Sequence, residues 1–131
     1  MTEAQSTVAV FLAVYAATGV ALFTAMFLGH KGRVNAHIAA ILVFLAGFAV
    51  TVYFADRTGR VYDLDARWKA IHLPLAFTAT AATLLPVATG FLHWRGKTSL
   101  RLHKAAIVLF LLPFVAASVT GGIMLVHSTA K

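Results

Sequence analysis

Two stretches of the chain read almost alike: HIAAILVFLAGF at residues 37–48 and HKAAIVLFLLPF at residues 103–114. Laid over each other with His37 on His103, they agree at His, Ala, Ala, Ile, Phe, Leu and Phe. Each begins a long apolar run at a histidine and carries no charge except Lys104. Such runs are too long for strands and approach the roughly 20 apolar residues that cross a bilayer as a helix.

Outward from these stretches, four charge-free runs cover residues 4–29, 38–55, 70–94 and 105–130. They predict membrane spans at about residues 6–29, 37–55, 70–93 and 103–127, an all-α integral membrane four-helix bundle in a single domain covering residues 1–131. The composition agrees, with 60% hydrophobic and only 11% charged residues in 131. The first run lacks the basic leading segment of a secretory signal and is too long for one, so it is read as a retained helix. Cysteine is absent, which excludes disulfides, thiolate metal sites and thiol catalysis.

The net charge of +7 is not read as a nucleic-acid signal, because the basic residues sit in the loops between spans. Lys31, Arg33, Arg95, Lys97, Arg101 and Lys104 fall on one side with no acid among them. Arg57, Arg60, Arg67, Lys69 and Lys131 fall on the other, with Glu3, Asp56, Asp63 and Asp65. Counting basic residues alone, the first side is expected to face the cytoplasm of a bacterial-type inner membrane, with both termini outside. Anionic lipid is an expected partner of the basic loops.

That topology sorts the six histidines into two layers. His30, His37, His93 and His103 lie at the cytoplasmic ends, one on each helix, and His72 and His127 lie at the outer ends of the third and fourth spans. The first and third spans both finish on a histidine (FLGH and GFLH), so two helical hairpins joined by residues 56–69 would form a pseudo-repeat.

Ionisable groups inside a membrane are costly and generally functional. Apart from Lys104 at the start of the fourth, the spans contain no Asp, Glu, Lys or Arg, only histidine near their ends. A carboxylate-bridged di-iron centre lacks its glutamates, and a transporter lacks a mid-membrane acidic relay. Zinc calls for three or four clustered ligands, whereas His37 and His103 are on separate helices. Two imidazoles at matched depth suit the axial positions of a haem b iron, with His72 and His127 available for a second haem. Small residues, Gly121 among them, would clear space for a porphyrin. Phe44 and Phe110, each seven residues past a histidine, could pack on its faces, and Arg33, Arg101 and Lys104 are placed to meet its propionates. The plainer alternative holds for each histidine taken alone: an interfacial imidazole bonding headgroups or loop carbonyls, which is the reading given to His30 and His93. Pro86 and Pro113 are expected to kink the third and fourth spans.

The residues IHLPLAF (71–77) and LHKAAIVLFLLPFVAASVTGGIML (102–125) resemble the small four-helix membrane family that includes the CtaM haem-copper oxidase assembly factor. The features shared are His37, His72 and His103 opening the second, third and fourth helices, then Pro113 and the pair Thr120-Gly121. Where the family carries a further histidine at the outer end of the second helix, this chain has Tyr53-Phe54-Ala55, leaving His127 as the available partner for His72. In its layout of histidines the chain also resembles transmembrane b-type cytochromes. The expected function is therefore electron transfer by a haem-binding protein, within or beside a respiratory or photosynthetic complex or as a homo-oligomer, with quinone a further possible partner. The resemblance implies an alternative, a non-catalytic assembly or accessory factor for a haem-copper oxidase. A membrane haem oxidoreductase acting on quinol or superoxide is the third reading.

Overall fold

A computed structural model describes all 131 residues, Met1–Lys131. The elements in order are α1 (Glu3–His30), α2 (Val34–Val61), β1 (Tyr62–Asp63), α3 (Ala66–Ala82), α4 (Leu84–Trp94), α5 (Leu100–Val126) and β2 (Thr129–Ala130). Four helical segments are long and apolar enough to cross a membrane: Glu3–His30, Val34–Val61, Ala66–Trp94 and Leu100–Val126. The fold is all-α, as the apolar runs require, because only internally bonded backbone is stable in lipid. Large apolar side chains such as Val20, Phe23, Leu42, Phe77 and Leu112 are exposed on the helices. Surfaces of that kind are matched to lipid rather than water.

The helix boundaries depart from the expected spans at their polar ends. α2 continues to Val61, over six residues expected to be loop. The Arg60 side chain explains part of this, since its Nε and Nη2 donate to Asp56 Oδ2 at 3.0 and 2.8 Å. An i,i+4 pair of this type supports a helical turn by a few tenths of a kcal/mol. The third span is interrupted at Thr83, three residues before Pro86. Proline has no N–H, and its ring crowds the carbonyl four residues earlier, here that of Ala82. Thr83 turns both its N–H and its hydroxyl to Ala79 O, at 3.0 and 2.9 Å, and its backbone stays helical. Pro113 causes no such interruption in α5.

The chain divides into two compact units, residues 1–63 with 129–131, and residues 64–128. In the first, α1 packs on α2. They come close at Gly47, where a Cβ would stand only 2.6 Å from Thr18 Oγ1. Thr18 and Thr51 hydroxyls lie 3.2 Å apart, and each also bonds a carbonyl of its own helix, Val14 O and Gly47 O, at 2.8 Å. Two hydroxyl protons thus serve three contacts. At one end of this unit Glu3 meets Arg57 at 3.5 Å, and β2 pairs antiparallel with β1. Lys131 meets Asp63 there at 3.6 Å. Both chain ends therefore sit by the C-terminal end of α2.

In the second unit α3 and α4 pack on α5. Asp65 caps α3 by accepting from Trp68 N at 2.9 Å, and its own N–H donates to Ser128 Oγ at 3.3 Å.

The two units repeat one local design. α1 ends on FLGHKGR (27–33) and α4 on FLHWRGK (91–97). In each, the penultimate glycine takes φ +69, the left-handed conformation that glycine adopts without strain. Arg33 N reaches back to Leu28 O at 3.0 Å, and Lys97 N to Leu92 O at 2.8 Å, a Schellman closure in both cases. Lys31 stands over the Phe27 ring at 5.6 Å, and Arg95 over Phe91 at 5.7 Å. This register matches Phe27 with Phe91, so the terminal histidines are not equivalent: His30 corresponds to Trp94, and His93 to Gly29. The following helices start alike as well. His37 and His103 are each four residues past the N-cap, with N–H bonds to Arg33 O and Ser99 O at 2.8 and 3.3 Å. The buried Phe44, Thr51 and Thr58 of α2 correspond to the buried Phe110, Ala117 and Met124 of α5. Their spacing of seven is the seam of a left-handed helix pair.

Candidate metal-ligating histidines

Three of the six histidines are half-buried and lie on a glycine of the facing helix in their own unit. His37 of α2 lies on Gly29 of α1, where a Cβ would stand 3.0 Å from Nδ1 and 3.1 Å from Cε1. His72 of α3 lies on Gly121 of α5, and His103 of α5 on Gly90 of α4, each with Cε1 2.9 Å from where a Cβ would be. The glycines leave room for a flat ring against bare backbone. At Gly121, where space for a porphyrin was expected, the room is taken by an imidazole.

In each of these sockets the ring is oriented through Nδ1. His37 Nδ1 is 2.7 Å from Ala25 O, and His72 Nδ1 is 3.0 Å from Ala117 O, in both cases the carbonyl four residues before the glycine. A carbonyl only accepts, so Nδ1 carries the proton. His103 Nδ1 is 3.1 Å from Thr89 Oγ1. The single Thr89 hydroxyl proton goes to Leu85 O at 2.7 Å, so the imidazole donates here too. In a neutral imidazole this tautomer puts the lone pair on Nε2. Ligating histidines characteristically give their other ring N–H to a carbonyl or carboxylate, which fixes the ring and raises its basicity. The residues present therefore fit a haem iron or another metal that takes imidazole Nε2.

The remaining histidines are exposed. His127 Nδ1 donates to Ile123 O of its own helix at 2.9 Å, and its ring lies beside Trp68 at 6.4 Å. His93 Nδ1 donates to Thr98 O at 3.0 Å, and its ring runs parallel to that of His103 with centroids 6.4 Å apart. No cluster of three or more His, Cys, Asp or Glu side chains suited to a metal is present. His72 and His127 are not brought together: His72 lies at the level of Ala117 and Gly121, and His127 is about 9 Å further along α5 at 1.5 Å of rise per residue. His37 belongs to the first unit and His103 to the second.

Phe44 and Phe110 are almost fully buried, at 3% and 2% exposure; Phe44 stacks on Phe48 with centroids 5.7 Å apart, and Phe110 meets Phe114 in a tilted contact at 5.2 Å. Arg33, Arg101 and Lys104 are exposed and take part in none of the three ion pairs. The residues that sequence reasoning missed are the sockets themselves, Gly29, Gly90, Ala25, Thr89 and Ala117. Threonine-glycine pairs at 89–90 and 120–121 underlie two of the sockets, but the same pair at 18–19 and 58–59 underlies none, so it does not mark them.

Fold and side chains together define an all-α protein with four membrane-length helices and three imidazoles held with the proton on Nδ1. Among known proteins no family model, no curated protein and no solved structure matches the chain.

Proposed function

We propose that the protein is a membrane b-type haem protein that carries electrons within or beside a respiratory or photosynthetic complex, with His37, His103 and His72 as the side chains that would hold haem. The observation that carries this reading is the common setting of the three imidazoles, each seated on a glycine with its Nδ1 proton given to the facing helix. The other charged groups of these spans lie at their ends. Haem bound there supplies one-electron transfer between its ferric and ferrous states. Arg33, Arg101 and Lys104, free of ion pairs, are the side chains that would meet its propionates. The basic loops after α1 and α4 face the cytoplasm in this reading.

The test is haem content of purified variants. His37→Ala and His103→Ala should each lower the haem content, and His30→Ala, at an exposed position on α1, should keep it. Full haem content in both His37→Ala and His103→Ala would overturn the proposal.

A second reading, an accessory factor that handles haem for a haem-copper oxidase, draws support from His72, Thr120 and Gly121. These carry the family resemblance and meet in one socket, with Thr120 Oγ1 3.4 Å from His72 Nδ1. An accessory factor should leave the finished oxidase and hold haem loosely, whereas a cytochrome subunit should co-purify with its complex stoichiometrically.

A further inference from the structure

The three socketed imidazoles do not give their protons to the same kind of acceptor. His37 and His72 donate to backbone carbonyls, at 2.7 and 3.0 Å, and His103 donates to a hydroxyl at 3.1 Å. Two sockets are nonetheless built on the same pair of residues, Thr120-Gly121 under His72 and Thr89-Gly90 under His103. Under His72 the carbonyl is the nearer acceptor and the Thr120 hydroxyl stands off at 3.4 Å. Under His103 the order is reversed. The Thr89 hydroxyl takes the imidazole proton, and the corresponding carbonyl, Pro86 O, makes a 3.4 Å contact with Thr89 Oγ1. The position corresponding to threonine in the His37 socket is Leu28, which has no hydroxyl.

An amide carbonyl is a stronger acceptor than an alcohol oxygen. The more strongly Nδ1–H is accepted, the more negative charge reaches Nε2 and the better ferric iron is stabilised over ferrous. We propose that Thr89 is the positioning residue of His103: its hydroxyl fixes the ring over Gly90 in the Nδ1–H tautomer and makes His103 a weaker donor to iron than His37. The electronic half of this rests on the haem reading above, and the tautomer half does not.

Three substitutions separate this role from simple packing. Thr89→Val keeps the volume but puts a methyl where the hydroxyl was, removing the acceptor that Thr89 gives the His103 proton. It should shift the ferric/ferrous equilibrium toward ferrous about tenfold, raising the midpoint potential by about 59 mV for one electron. Thr89→Ala opens the path to Pro86 O, so the midpoint should stay at or below that of the wild type. Thr89→Ser should behave as wild type. Equal shifts in the Val and Ala variants, or an unmoved midpoint in Thr89→Val, would overturn the electronic role. In the apo protein, the 15N shifts of His103 should show the Nδ1–H tautomer in wild type and Thr89→Ser, and lose it in Thr89→Val. A wild type that carries no haem would sink the haem reading, and the 15N experiment would still decide the positioning role. Retention of the Nδ1–H tautomer in Thr89→Val would overturn it.

Discussion

Gly29→Ala should weaken haem binding about tenfold while leaving the first helical hairpin folded. The added Cβ would lie 3.0 Å from His37 Nδ1, 3.1 Å from Cε1 and 3.5 Å from Cγ. Ordinary contact begins near 3.5 Å, so the ring must retreat by about 0.5 Å. The bond from Nδ1 to Ala25 O, 2.7 Å in the wild type, then lengthens to about 3.2 Å, the far end of the usual range. Losing the outer hydrogen-bond partner of a ligating histidine typically costs 10–100-fold in affinity. A stretched bond belongs at the lower end, about 1.4 kcal/mol. Folding should suffer less, because alanine gains roughly 0.5–1 kcal/mol over glycine inside a helix. Gly19→Ala is the control, since it lies on the same helix and its Cβ would meet nothing within 4 Å. The assay is titration of apo protein with haemin in mild detergent, followed by Soret absorbance, with far-UV circular dichroism melts in parallel. Equal haem affinity in the two variants would refute the reasoning, as would a loss in Gly29→Ala that merely follows unfolding.

Four further outcomes are expected. Gly47→Ala places a Cβ 2.6 Å from Thr18 Oγ1 and should destabilise the hairpin by roughly 1–3 kcal/mol, most of it recovered in Gly47→Ala with Thr18→Ala. Melts that rank the double variant no better than the single one would contradict a close approach at that point. Gly32→Ala and Gly96→Ala, at φ +69, should each cost about 1–2 kcal/mol, with asparagine tolerated better than alanine in the same melts. Asp65→Ala removes the cap on Trp68 N and should cost about 1 kcal/mol. Glu3→Gln, by contrast, breaks an exposed pair to Arg57 and should leave the melt unchanged.

The four spans were legible because lipid imposes one requirement, uninterrupted apolar length, and residues 37–48 and 103–114 meet it openly. Their repeat was legible for a related reason: Phe44 and Phe110 sit in a seam with a period of seven, which writes itself into side chains. The end of α2 was misjudged because charged residues such as Asp56 and Arg60 mark the edge of the membrane and not the end of a helix. The register between α1 and α4 was misjudged because both spans finish on a histidine, whereas the structural match runs through Phe27 and Phe91 to the closing glycines. His127 looked like a partner for His72 because both lie near one membrane face. Their different heights along α5 are set by where α3 packs on it. The sockets escaped notice because two of their three acceptors are backbone carbonyls, which every residue possesses. Only the glycines at 29, 90 and 121 and the hydroxyl of Thr89 leave a trace in the sequence.

The central claim is that this protein holds haem through imidazole nitrogens. It is tested most directly by a reduced-minus-oxidised spectrum of the wild-type protein, purified in mild detergent from cells able to make haem, with the haem-to-protein ratio measured on the same sample. Sharp Soret and alpha bands of a six-coordinate b haem are expected, at one or two haems per chain. Folded protein with no haem absorbance, and none on adding haemin, would contradict it.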